Sequence, residues 1–160
     1  MSTDDNRRED LSAGLPTELL RAGWKPYRFP DSSVCVILPK ELSAAFNDEG
    51  VLCGFLGRME PHFTATLHAG EAFTAEPELA LEFVAHLASQ KHASPLDLAT
   101  YRYFFDPTVS HEGGRENQFC VIGIPAVVVV TSFSRSEGMP FPQPIEAALN
   151  AVPKIVGELL

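Results

Sequence analysis

The segment Asn117-Gln118-Phe119-Cys120-Val121-Ile122-Gly123-Ile124-Pro125-Ala126-Val127-Val128-Val129-Val130-Thr131-Ser132-Phe133 decides the fold class. Asn117 to Ile122 and Ala126 to Phe133 are rich in β-branched and aromatic residues, the composition of strands. Gly123 and Pro125 separate the two runs, so they read as a hairpin or as a strand with a bulge. The stretch Ile124 to Val130 is the longest apolar one, and it is far short of the ~20 residues that a membrane helix needs.

Upstream, Thr100 to Phe105 is an aromatic strand bounded by Asp106-Pro107, and His111-Glu112-Gly113-Gly114 is a tight turn. Further back, His62 to Leu67 alternates, with Phe63, Ala65 and Leu67 on one face and His62, Thr64, Thr66 and His68 on the other. That is a half-buried strand. Val51 to Leu56 and Ser33 to Leu38 complete the strands. Ser33 to Leu38 is apolar on both faces and is expected to be central or covered on both sides. Glu41 to Phe46 reads as a helical turn, and Trp24 to Pro30 is extended because each proline keeps its predecessor out of helical space.

Two substantial helices frame these strands. Ala80, Phe83, Val84, Leu87 and Ala88 recur at three- and four-residue intervals and predict a helix over Glu76–Lys91, with Pro77 in its first turn. Ile145, Ala148, Leu149, Val152, Val156 and Leu159 form a second stripe that keeps its phase across Pro153, read as one interrupted helix. Ser134 to Pro144 is expected to be a polar loop before it. Leu15 to Gly23 predicts a short opening helix, with Trp24 anchoring it to the sheet. Strands are mostly consecutive with short links, so the sheet should be largely antiparallel. The expectation is an α+β domain, a sheet of about six strands packed by two main helices, spanning 13–160 after a solvated tail at 1–12.

Charge narrows the function. The chain has 160 residues, with 12 Lys plus Arg against 21 Asp plus Glu, a formal charge of −9. Phosphate binding needs clustered basic residues, so nucleic acid is an improbable partner and a basic protein is favoured. Trp24, Tyr27 and Phe29 beside Arg21, Lys25 and Arg28 are too few cations to change this. No apolar core follows a basic segment at the start, which leads to the expectation of a cytoplasmic protein without membrane insertion.

No catalytic signature is present. Cys35, Cys53 and Cys120 each lie in an apolar run and read as small buried strand residues, not as a disulfide set or zinc knuckle. His62 and His68 share a strand face but stand ~20 Å apart, too far for one ion. His86 follows Glu82 by one helical turn and reads as an exposed pair. The serines of Ser132–Ser136 lack a nucleophile elbow, and the glycines lack a phosphate loop or dinucleotide fingerprint. Neither a cofactor nor a metal is expected.

Binding residues are expected on the loops. His111, Glu112, Arg115 and Glu116 around Gly113-Gly114, with Asp106 upstream, form the densest ionisable cluster, at the expected hairpin tip. Arg135, Met139 and Phe141 belong to the expected loop before the last helix, Met139 and Phe141 being its exposed apolar residues. Tyr101 and Tyr103, with His111 and Arg115, are candidate liners of a pocket on the sheet.

The order of elements resembles a known group. Phe29-Pro30 leads to the Val34-to-Pro39 strand, then a meander, the Glu76–Lys91 helix, Tyr101–Phe105, the paired strands ending at Val127 to Ser132, and a closing helix. Over residues 24–160 this resembles the PsbP-like α/β/α sandwich group, which includes the photosystem P subunit, the Ran-binding Mog proteins and bacterial DcrB-like proteins. The chain is expected to depart from it in having no signal or lipid anchor and in the long Ser134–Pro144 loop. The resemblance implies an accessory or binding protein without a shared catalytic site, and it carries over no functional residue. The leading expectation is a non-enzymatic accessory or adaptor protein that binds another protein. A small-molecule-binding or hydrolytic domain, and a chaperone-like binder of apolar segments, stay open as alternatives.

Overall fold

The computed structural model describes residues 16–57, 60–98, 100–152 and 154–158. The expected tail at 1–12, the interruption at Pro153 and the stripe residue Leu159 lie outside them. In chain order the elements are α1 (Thr17–Arg21), β1 (Lys25–Arg28), β2 (Val34–Leu38), β3 (Ser43–Phe46), β4 (Leu52–Phe55) and β5 (Phe63–His68). Then come α2 (Glu71–Ala75), α3 (Glu78–Gln90), β6 (Leu96–Leu98), β7 (Tyr101–Phe105) and β8 (Ser110–Glu112). The last are β9 (Arg115–Ile124), β10 (Val127–Ser136), α4 (Gln143–Asn150) and β11 (Val156–Glu158).

The β9–β10 hairpin is the centre of the molecule. Val127 opposes Ile124, so only Pro125 and Ala126 form the turn, and the pairing runs unbroken to Ser136 opposite Arg115. The hairpin reading of this segment holds, and both strands are longer than expected. All strand pairs are antiparallel. The order β3-β4-β5-β10-β9-β7-β6, with β8 on the free part of β9, makes an eight-stranded sheet, and β1-β2-β11 makes a second sheet of three strands.

The expected count of six strands in one sheet is thus corrected to eleven in two, among the described residues. The five added strands are β1, β3, β6, β8 and β11, and three readings change with the new picture. Glu41 to Phe46 is not a helical turn: Ser43–Phe46 pairs with β4 as an edge strand. Ser134–Pro144 is not one long loop, because β10 continues through Ser136 and leaves 137–142 as the connection. The second stripe is not one helix. It ends at Asn150, and Val156–Glu158 pairs with β2. A free edge of β2, with Ile37 N–H donating to Ile155 O at 2.7 Å, outcompetes the helical phase of Val156.

Alternation along β9 and β10 sends side chains to two cores. Cys120, Ile122, Ile124, Val129 and Phe133 pack with Val34, Val36 and Leu38 of β2 and with Ile145 and Ala148 of α4. Val121 and Val128, with Phe104, meet Ala80, Val84 and Ala88 of α3 on the opposite face. The α3 stripe therefore buries three of its five expected members, while Phe83 remains 41% exposed. Every residue of β2 is buried, as its two-faced apolar pattern requires. Its outer side chains Cys35 and Ile37 lie under Leu19, Leu20 and Trp24, so Trp24 does anchor the opening helix. The layers run α3, large sheet, small sheet with α4, then α1. Among the described residues no helix is long and apolar enough to cross a membrane.

Candidate functional site

At the end of the large sheet remote from Pro125, the strands β8, β9 and β10 lie side by side. Gly113 and Gly114 close the β8–β9 turn with φ of +59° and +74°. Two consecutive left-handed residues are what a two-residue hairpin of this twist demands, and glycine adopts them without a Cβ clash. The register then opposes His111 to Glu116, and Glu116 to Arg135. Glu137 follows directly, and its N–H donates to Gly114 O at 2.9 Å.

These four side chains meet. Arg135 donates from Nε and Nη2 to Glu116 Oε2, at 2.9 and 2.7 Å. Its guanidinium also lies 4.9 Å from the centre of the Phe141 ring, a cation–π contact. The Arg135 hydrogen bonds hold the Glu116 carboxyl below the usual carboxylate range. Burial opposes this, while the Arg135 charge, nearby His111 and a Gly138 backbone bond support it. His111 Nδ1 is 3.2 Å from Glu137 Oε1, both side chains being exposed.

Arg115 points elsewhere. It donates to Ser134 Oγ at 2.9 Å, Glu60 Oε2 at 3.0 Å and Pro61 O at 3.2 Å. That fan ties the β4–β5 connection to the central hairpin, so Arg115 is engaged in holding the fold. Ser134, expected in a polar loop, is buried at 3% exposure as one of its acceptors. Two shallow depressions flank Arg115. One of about 370 Å³ is lined by Leu56, His62, Ser136 and Met139, and one of about 320 Å³ by Glu60, Glu112, Asn117 and Ser134.

The remaining predicted residues are dispersed. Tyr101 and Tyr103 lie half-buried against the main core, and Tyr103 packs edge-on to Phe105. Burial pushes the Tyr101 phenol up, and the Glu158 carboxylate adds to that while a Glu158 backbone bond opposes it. Asp106 accepts from Thr108 N–H and sits 3.5 Å from Lys91 Nζ. Phe141 is not exposed as expected but partly buried beneath Arg135, whereas Met139 is 59% exposed. His86 contacts Gln90 instead of Glu82.

Two features escaped the sequence. Glu116 belongs to the ionisable cluster around Gly113-Gly114 and Glu137 to the stretch that opens the loop before the last helix, but only strand register brings the two together at His111. An apolar groove of about 660 Å³ runs between α2–α3 and the outer face of β5 and β10, with Leu67, Phe73, Phe83, Leu87, Val128 and Val130 among its lining. Phe73, on an unpredicted helix, closes it against Phe83 at a ring separation of 5.7 Å.

Burial disfavours the thiolate form of all three cysteines. Burial pushes Cys35 up to about 11, against a smaller lowering by Arg28. Burial also raises Cys53 and, much further, Cys120, where a Thr131 hydrogen bond opposes it.

No known protein family and no curated protein matches the sequence. Solved structures do resemble it. A crystal structure from Bacteroides thetaiotaomicron VPI-5482 superposes with a TM-score of 0.61 at 14% identity, covering 84% of this chain and 48% of that one. The chain thus spans about half the length of that protein. The solution structure of cyanobacterial PsbP (CyanoP) from Synechocystis sp. PCC 6803 gives a TM-score of 0.49 at 8% identity, covering 86% of this chain and 93% of that one. At 14% identity the likeness to the Bacteroides structure is one of fold alone.

Proposed function

We propose that this is a non-enzymatic accessory or adaptor protein that binds another protein through the end of the large sheet formed by β8, β9, β10 and 137–142. The observation that carries this reading is the mutual engagement of the charged groups there. Arg135 holds Glu116, His111 meets Glu137, and Arg115 is spent on three acceptors, so none is set against a nucleophile. Beside them Met139 projects an apolar side chain into solvent. Such a rim of paired charge around an apolar contact suits docking more than chemistry. The charge of −9 favours a basic partner and an association that weakens with salt. Three free thiols fit a reducing compartment such as the cytoplasm.

The test is quantitative capture from native lysate by the intact chain and by a variant carrying Met139→Asp and Glu112→Lys, both at exposed positions. A partner retained by the parent, lost from the variant and released by salt supports the reading. Identical capture by both overturns it.

The apolar groove favours a second reading, a binder of apolar segments or apolar small molecules. It lies against α2 and α3, not beside the last helix. Quenching of an apolar fluorescent probe by Phe83→Asp, with Met139→Asp unchanged, would support this reading over the first. Of the depressions described, none joins two of Tyr101, Tyr103, His111 and Arg115, which weighs against a pocket built on those residues.

A further inference from the structure

We infer that His111, Glu116 and Glu137 form a site for a borderline divalent cation such as zinc. One donor atom of each, an imidazole nitrogen and two carboxylate oxygens, lies within 4.8 Å of the other two. Around a tetrahedral ion with bonds of about 2.0–2.2 Å, ligand atoms stand roughly 3.3–3.6 Å apart. The His111 Nδ1 to Glu137 Oε1 separation of 3.2 Å already matches that spacing. Closing the rest takes about an ångström of side-chain movement, available because His111 and Glu137 are exposed.

The backbone under all three is pinned. His111 and Glu116 are opposed residues of β8 and β9, and the Glu137 N–H bond to Gly114 O ties the third donor to the same turn. A site on paired strands holds its donors more closely than one on free loops. Arg135 fills the supporting position. Both of its bonds go to Glu116 Oε2, a Gly138 backbone bond holds the same carboxyl, and the Phe141 ring keeps the guanidinium in place. Ligating carboxylates are commonly held this way by outer partners. Two carboxylates against one guanidinium leave the cluster net negative, which suits a cation. The imidazole donor selects zinc-like ions over calcium or magnesium, which take oxygen ligands. Three protein donors leave one tetrahedral position to water on the solvent side.

The sequence hid the site because Glu137 lies 26 residues from His111. It shares His111, Glu116 and Glu137 with the proposed docking surface, but its test is separate, since zinc alone is the probe.

The experiment is calorimetric titration of the intact chain with zinc, repeated on His111→Ala and Glu137→Gln, with far-UV circular dichroism confirming an unchanged fold. Saturable one-to-one binding, weakened about tenfold or more by each substitution, and weaker uptake of magnesium are expected. No saturable binding at millimolar zinc, or parent-like affinity in either variant, overturns the site. Those outcomes leave partner capture through Met139 and Glu112 untouched, and failure of capture leaves the titration untouched.

Discussion

Gly123 lies so close to Val84 that a Cβ placed on it would stand 2.7 Å from Val84 Cγ2 and 3.1 Å from Ala80 O. Helix α3 approaches the central hairpin at the one point where β9 presents no side chain. Gly123→Ala should therefore force the helix outward and lower stability by about 1–3 kcal/mol. In a chain of this size each kcal/mol lost lowers Tm by roughly 2–4 °C. Adding Val84→Ala removes the nearer clash and should make the double variant less destabilised than the sum of the single ones. Thermal unfolding of all three variants checks this, and simple additivity would contradict the close approach.

Phe63 and Phe133 face each other across β5 and β10, fully buried, with ring centroids 5.3 Å apart. Phe133→Ala should cost about 3–5 kcal/mol through lost transfer energy and the cavity left behind. A double-mutant cycle with Phe63→Leu should return a coupling of about 0.5–1.5 kcal/mol from the edge-on contact. Urea unfolding gives both values.

Ala126 occupies the second turn position of the central hairpin with φ of +76°. An L-residue there costs roughly 1–2 kcal/mol, while glycine in its place adds unfolded-state entropy worth about 0.5–1 kcal/mol. Ala126→Gly is thus expected to stabilise by up to about 1.5 kcal/mol, seen as a higher urea midpoint at unchanged slope.

The Glu116 carboxyl is held below its ordinary range, chiefly by hydrogen bonds from Arg135. Folding therefore favours its ionised form. The stability this contributes is fully present above the unfolded carboxyl's range and is lost as pH falls through the lower folded value. The stability gap between the parent and Glu116→Gln should be widest near neutral pH and should close in acid. Unfolding midpoints of both across that range test it, and a gap independent of pH would refute the assignment.

Burial that raises the thiols of Cys35 and Cys120 should also shield them from alkylation, while half-buried Cys53 reacts first. Mass spectrometry after iodoacetamide treatment of the native protein should show one site modified, and three after unfolding. Early labelling of Cys120 would contradict its placement in the core.

How much of this was legible follows from which signals are local. The α3 stripe and the Val127–Phe133 run announce themselves because the period of their apolar residues reports element type within a few turns. The same local reading failed at Ser43–Phe46, whose alanines suit a helix, because the unpaired edge of β4 decided its state. It failed again at Val156, which fits a helical phase yet completes the small sheet against β2. At the candidate site the sequence marked His111, Arg115 and Arg135 by their charge. It did not show that Arg115 is consumed by Glu60, Pro61 and Ser134, nor that Glu116 and Glu137 join His111.

By itself, the sequence determined the α+β class, the antiparallel habit of the strands, the long α3 helix, the start of α4 and the apolar character of the central hairpin. Those follow from periodicity and composition along the chain. Only the tertiary structure decided the split into two sheets, the groove under α3 and the meeting of His111, Glu116, Arg135 and Glu137. Each of these depends on which strand edge pairs with which, and at what register. That choice is made by hydrogen bonding and burial between segments far apart in the chain, and no local pattern encodes it.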